Sequence, residues 1–485
     1  MKKIFGGLGI VLILIAGVVA VKTWQSTSRQ LTVDPAAKID IDIDAVSSHL
    51  ARALQFPTIS CGDLVPFDSL QTFLAQTFPE IHEQLEKQVI GEAALVYHWE
   101  DANPDLDPLV ITAHQDVVPI EPGTEQDWQH SPFSGKVMDG YIWGRGTLDN
   151  KNSVLASLEA VTILLAEKYQ PERTVILAYG HDEEIGGLDG AQKIAAHLKE
   201  EEITPWFVVD EGGIVLEAHP MPVSSPLALI GIAEKGYLSL SLTVNAEGGH
   251  SSMPARETAI GILSSALHKL TSNPFPPRLE GISGQLFDFL GPEMPLPWRG
   301  VFANRWLFGP VIKSQLAKSP SSDALLRTST APTMLEGSPK DNVLPAQAQA
   351  VVNFRILPGE TTESVTARVK RVIDDSRVVV EPVNQFGKNP SPVSSTESDA
   401  FLTLQTTIHE IYPDAVVAPY LVVGGTDARH YAGISPNVFR FMPTRFREGD
   451  MARLHGTNER ILQEDYADAI RFFRQLILNT SQHVE

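Results

Sequence analysis

The chain contains one cysteine, Cys61, in 485 residues, and that scarcity removes both an intramolecular disulfide framework and any cysteine-rich zinc module. A resident metal must therefore be held by histidine nitrogen and carboxylate oxygen. Basic residues are also in deficit. With 38 Lys and Arg against 59 Asp and Glu, the formal charge is −21, which argues against a nucleic-acid partner, since that needs a basic face. No tandem repeat is present, and no lipobox-like cysteine follows the N-terminal apolar segment. What remains is 43% hydrophobic, enough for a real core, over a length that suits two domains and a short appendage.

That appendage is residues 1–30. Lys2 and Lys3 precede an uncharged stretch of 18 residues, Ile4 to Val21, and Lys22 follows. A bilayer span needs roughly 20 apolar residues, with about 17 as the lower limit. The segment reads as a single-pass membrane anchor, its Lys pair placing the body of the chain on the extracytoplasmic side. Val18-Val19-Ala20 also offers a small-residue processing site, whose cleavage releases a secreted or periplasmic protein.

Downstream, strand-like and helix-like runs alternate, the mark of an α/β fold. Strands are expected at 93–99, 109–113, 174–179 and 206–209, with helices at 44–54, 67–78, 153–169 and 189–202. The strand from Leu109 ends in His114-Gln115-Asp116. Residues two apart on a strand share a face, so a metal-binding His114 has its orienting carboxylate beside it. Other apolar runs stop at Asp149, Glu183-Glu184 and Asp210-Glu211, and His455 lies far downstream. Singly these are ordinary caps, solvated loop residues or surface pairs. Together they supply His and carboxylate ligands beyond the carboxyl ends of strands, where such sheets collect their chemistry. Asp149 follows a glycine-containing turn before a helix and is placed to bridge two ions. In the adjacent pair Glu183-Glu184, one residue can bind metal while the other faces water as a general base.

From about Lys235 the pattern changes. Residues 236–244 alternate with period 2, as in a half-exposed antiparallel strand, then 258–270 reads as a helix; 348–356 and 362–375 repeat the pair. The domains expected are 31–234 and 386–485 as one discontinuous catalytic domain, and 235–385 as an inserted α+β domain. The Pro- and Gly-rich stretch 274–340 reads as a lid or substrate-contacting insertion. Its Trp298, Phe302, Trp306, Leu307 and Phe308 are either acyl-chain contacts or lid core.

The ordered motifs His114-Gln115-Asp116-Val117-Val118-Pro119, Gly144-Arg145-Gly146-Thr147-Leu148-Asp149, Asp182-Glu183-Glu184-Ile185-Gly186-Gly187, Asp210-Glu211-Gly212, Gly249-His250-Ser251-Ser252 and Leu454-His455 resemble the M20 metallopeptidase family. The likeness covers nearly everything after residue 40 and is strongest to its carboxypeptidase S branch, which includes an N-fatty-acyl-amino-acid synthase/hydrolase. The resemblance implies a di-metal aminopeptidase-like catalytic domain, a mixed sheet flanked by helices, with an inserted lid and dimerisation domain. It implies two divalent ions, most often Zn2+, held by His114, Asp149 as bridge, Glu184, Glu211 and His455, with Asp210 as the rival to Glu211. Asp116 would orient His114, Glu183 would be the general base, and His250 would stabilise the oxyanion, often from a partner subunit in a homodimer. Asn342 and Arg355 match positions that hold the substrate carboxylate, a task suited to Arg's planar fork. Gly424 to Arg429 resembles a substrate-contact loop.

The implied reaction is hydrolysis of an amide bond beside a free α-carboxylate, in a dipeptide or an N-acyl amino acid, or the reverse condensation. Alternatives are an aminoacylase for short acyl groups and a metal-binding interaction protein without turnover, whose mark would be a substituted base or bridge; neither position is substituted here.

Overall fold

The computed structural model describes residues 2–60, 62–383 and 387–481, with side chains from residue 9 onward; Cys61 lies outside the described residues. A ten-stranded mixed sheet forms the body, in the order 86–90, 94–99, 175–180, 109–114, 207–210, 438–440, 227–234, 215–216 and 445–446, with 416–422 also paired to 227–234. The strands 109–114, 175–180, 207–210 and 438–440 run parallel to one another. Strands 109–114 and 175–180 are buried along their whole length, which is why they read as continuous apolar runs rather than alternating ones.

Helices cover both faces. Lys151–Ala166 packs against Gln463–Thr480 in the large core, while Ala191–Glu200 covers the other face with Ala191, Ile194 and Leu198. Residues on both sides of the insertion, such as Leu158 and Phe472, share the large core. The small domain is a separate sheet, 329–336, 347–356, 236–245 and 378–382, backed by Ala259–Ser272 and Thr362–Ile373. Its Leu238, Leu240, Leu242 and Val244 point one way, into a core of their own, and the alternate residues are only half-buried. Thr258 and Thr361 side chains cap the two helices, removing orphan N–H groups at each start.

The stretch 235–385 is not one packing unit. Its helical insertion, Ile282 to Leu326, buries Leu286, Phe287, Phe302 and Ile312 in the core of the body, not of the small domain. Composition showed apolar residues there without showing which sheet they meet. At the other end, the stretch Ile4 to Val21 lies within one helix, Lys2–Gln25. Part of it falls outside the described side chains, and among the described residues no helix is long and apolar enough to cross a membrane.

Candidate metal centre and substrate cavity

His114 closes its strand at 1% exposure, and its Nε2 lies 2.9 Å from Asp149 Oδ1 and 3.5 Å from Glu211 Oε1. His455 Nε2 lies 2.9 Å from Asp149 Oδ2 and 3.3 Å from Glu184 Oε2. Two ligand groups result, His114–Asp149–Glu211 and Asp149–Glu184–His455, with donor atoms within 4.8 Å of one another in each. Asp149 gives one oxygen to each group, the geometry of a bridging carboxylate. The donors suit two borderline divalent cations, and the buried Glu184 Oε1 has no hydrogen-bond partner among the described residues, leaving it available to a ligand. Asp210 sits apart: its Oδ2 accepts the Ala428 N–H at 2.6 Å, capping a short turn.

Asp116 does more than face His114. Its Oδ1 lies 3.2 Å from His114 Nδ1, and its carboxylate accepts the backbone N–H groups of Glu183 and Glu184 at 3.2 and 3.1 Å, and the Ser60 hydroxyl at 2.6 Å. One buried carboxylate thus orients the imidazole and fixes the backbone that carries both glutamates. The turn continues through Gly186 and Gly187, both in the left-handed region at φ 114° and 66°. A Cβ on Gly187 would lie 2.0 Å from Asp427 Oδ1, so only glycine allows this turn to meet the 424–429 loop.

The charge balance is set by proximity. Burial opposes ionisation of Asp149, yet hydrogen bonds to His114 and His455 outweigh it and hold the carboxyl below its usual range. Burial first, then the charge on Asp149, pushes Glu211 well above its usual value. Burial also raises Glu183, opposed by His114 and reinforced by Asp427, Asp149 and Glu184. Burial and neighbouring carboxylates thus favour the protonated form of Glu183 relative to an ordinary glutamate.

Two features had no signal in the motifs. The first is a buried pair, Arg145 Nη1 to Glu459 Oε2 at 2.6 Å. Glu459 also accepts the N–H groups of Gly146 and Leu148 at 3.0 and 2.8 Å, while Arg145 Nη2 donates to the His455 carbonyl at 3.1 Å. It joins the loop before Asp149 to the loop bearing His455, whose own φ of 58° is unusual for a non-glycine residue. The second is the cavity over the clusters, about 740 Å³, within the range of small-molecule sites. Its lining mixes the cationic side chains of Arg355, Lys388 and Arg429 with apolar ones, Ile214, Met442, Phe446, Met451 and Leu454 among them; Lys235 also lines it, its Nζ donating to the Ala324 and Arg327 carbonyls. Arg355 stacks on Tyr237, its guanidinium 4.9 Å from the ring centroid, where the small domain joins the body. Lys388 and Tyr237 went unread because each lies in a strand or loop with no motif around it.

Asp149, Glu183, Glu184, Glu211, His455 and Arg355 line this cavity. His250 and Asn342 do not. They lie exposed on a hairpin of the small domain, where His250 faces Val343 across two short strands and its Nδ1 contacts Ser252 Oγ at 2.8 Å. Trp298, Phe302, Trp306, Leu307 and Phe308 are not in the lining either, because their helices pack on the body's core elsewhere.

Comparison with known proteins matches residues 110–479 to the model of peptidase family M20/M25/M40. Probable carboxypeptidase S-like 2 of Dictyostelium discoideum is 41% identical over 98% of this chain and 93% of its own length. N-fatty-acyl-amino acid synthase/hydrolase PM20D1 of Homo sapiens is 36% identical over 91% of this chain and 89% of its own. Among solved structures, the M20 family metallo-carboxypeptidase Sso-CP2 from Sulfolobus solfataricus superposes with a TM-score of 0.63 at 19% identity, covering 90% of this chain and 99% of that one. Human carnosine dipeptidase 1 gives 0.62 at 15%, covering 91% and 97%. At those identities the structures speak to the fold, a mixed sheet flanked by helices.

Proposed function

We propose that this chain, which belongs to peptidase family M20/M25/M40, hydrolyses N-acyl amino acids that carry long apolar acyl groups, and runs the reverse condensation when both products are abundant. It is a hydrolase, carboxypeptidase-like or of the N-acyl amino acid kind. The observation that carries the finer reading is the mixed lining of the cavity. Its Arg355 and Arg429 suit a free α-carboxylate, which Arg binds bidentately, and its apolar lining suits an acyl chain.

Two divalent ions, zinc in this reading, held by His114, Asp149, Glu184, Glu211 and His455, would polarise the scissile carbonyl and acidify the attacking water. Glu183 takes a proton from that water as its oxygen adds to the acyl carbon. The same residue returns the proton to the leaving nitrogen as the C–N bond breaks, giving a carboxylic acid and an amino acid. Asp116 holds the His114 ring and the Glu183 backbone through both steps. Arg355 orients the substrate carboxylate. His250 and Asn342 act from a second copy of the chain in a homodimer, since their own hairpin leaves them outside this cavity. The Lys2-Lys3 pair and the apolar run behind it tether the body on the extracytoplasmic side, as supported by that charge pattern.

The test is kcat/KM against acyl length, on one amino acid, beside a dipeptide with the same C-terminal residue. Each added methylene is expected to raise kcat/KM about fourfold until the apolar lining is covered, from ~0.8 kcal/mol per buried CH2. A preference for the acetyl compound would mark a short-chain aminoacylase, and a preference for the dipeptide a carboxypeptidase; either sinks the long-chain reading. Chelation should abolish turnover and zinc should restore it.

A further inference from the structure

The chain holds seven tryptophans, and among the described residues the large exposed ones are Trp24, Trp298 and Trp306, at 80%, 49% and 53% exposure. They are carried by the N-terminal helix Lys2–Gln25 and by two consecutive insertion helices, Leu296–Ala303, which packs against it, and Arg305–Leu316. Polar contacts fix the two parts together. Asn304, itself fully buried, donates from Nδ2 to the Val19 carbonyl and the Thr23 hydroxyl, each at 3.2 Å, and Arg299 donates to the Ser26 carbonyl. A groove of about 520 Å³ runs between them. Leu296, which lines it, is exposed at 72%, and Val311 on the second insertion helix at 58%. Trp306 Nε1 donates to Asn304 Oδ1 at 3.1 Å, and Lys22 Nζ lies 5.8 Å from its ring centroid.

Charge separates these two stretches of sequence from the rest of the chain. Residues 1–33 carry four Lys or Arg and residues 294–320 another four, with no Asp or Glu in either stretch, in a chain whose net charge is −21. Arg305 pairs with Asp288 at 2.6 Å from the preceding helix; Lys22 and Lys318 stand exposed and Lys313 half-exposed. Exposed tryptophans and aliphatic side chains on helices that also carry Lys22 and Lys313, with Lys318 just beyond, match the chemistry of a bilayer interface, where indole rings sit at headgroup level and basic residues meet anionic lipid.

We propose that these helices present one face to an anionic membrane surface, so that the insertion, and not the N-terminal helix alone, sets how the body lies against the bilayer. The inference shares with the tether above only the presence of a membrane and does not require the helix to cross it.

The experiment uses the full chain with an environment-sensitive nitrobenzoxadiazole label. The label is placed on a cysteine introduced as Trp298→Cys or Val311→Cys, with Cys61→Ser making labelling unique. Met253→Cys, on the exposed small-domain hairpin, is the control. Vesicles are phosphatidylcholine, with or without phosphatidylglycerol, and acyl-brominated lipid is the quencher. Flotation with the vesicles reports the tether; the label reports the face. At 298 and 311 the emission shifts to the blue and is quenched by brominated chains, more strongly on anionic vesicles, and at 253 it does neither. Lys313→Glu with Lys318→Glu removes the anionic preference and leaves hydrolysis unchanged. A chain that floats while both labels still read water overturns the face and spares the tether; a chain that does not float overturns both. Self-association that Trp306→Ser abolishes, with no vesicle response, assigns the face to a second copy and overturns the proposal.

Discussion

His114 is 1% exposed and is surrounded by Asp149, Glu211 and Asp116, whereas His250 lies exposed with Ser252 of its own turn as its hydrogen-bond partner. The two histidines come from the two parts of the chain, and the contrast holds for their neighbours. On the body, each side chain assigned to metal or proton transfer is tied to another by charge or by a backbone N–H. On the small domain, Arg355 alone of the expected residues reaches the cavity, and it does so at the junction with the body. The groups proposed for metal binding and proton transfer therefore lie together within one body, while His250 and Asn342, proposed for the oxyanion and the substrate, lie outside its cavity.

The sharpest way to break that division is Glu183→Gln. A general acid–base group contributes about 10²–10⁴-fold, so kcat should fall by that factor while zinc content stays at the wild-type level. Full activity in the variant would remove Glu183 from proton transfer, and lost metal would show that it serves the clusters instead.

Glu459→Ala probes the body's self-sufficiency from behind the site. The substitution strands the Arg145 guanidinium and two backbone N–H groups in the interior, and breaking a buried pair from one side costs about 3–5 kcal/mol. Urea unfolding should move by that amount, and zinc should be held less tightly because the loops of Asp149 and His455 lose their common anchor. Unchanged stability would mean that the two loops are positioned independently.

His250 sharpens the other half of the comparison. His250→Ala should lower kcat by about 10²–10³, the usual cost of one oxyanion donor. Mixing it with Glu183→Gln and letting dimers exchange should restore about a quarter of wild-type activity, since half the dimers are mixed and each has one intact site. No restoration would place His250 in its own chain's site after a closure of the small domain.

The body's share of the site was legible in the sequence for a physical reason. His114, Asp149, Glu184 and Glu211 each follow a short apolar strand or a glycine-bearing turn, so the order of motifs already encodes strand ends that a parallel sheet brings together. Asp210 and Glu211 were not separable by pattern, because the choice depends on whether a side chain reaches His114 or the Ala428 N–H, which is a matter of backbone twist. Glu459 left no trace because a lone Glu four residues after His455 looks like any solvated loop residue. The insertion's tryptophans were readable as apolar but not as belonging to the body, since composition carries no information about which sheet a helix covers.

The smallest effect tests whether the two parts also respond separately to pH. His49 Nδ1 and Glu159 Oε1 lie 2.7 Å apart, joining the helix Ile43–Ala53 to Lys151–Ala166 within the body. That hydrogen bond raises the His49 pKa above its usual 6.5, against the opposing effect of burial. A raised folded value means that the contribution to stability is whole below about pH 6.5 and is lost as pH climbs through the folded value. The ring is 36% exposed, so solvent screening limits the contribution to at most about 1 kcal/mol. His49→Gln should therefore lower the body's melting temperature at pH 6 and barely at pH 9, with no change in any separate transition of the small domain, whose core shares no residue with that helix pair. A loss of equal size at both pH values would make the contact one of packing rather than charge, and a shift in both transitions would show the two cores melting as one.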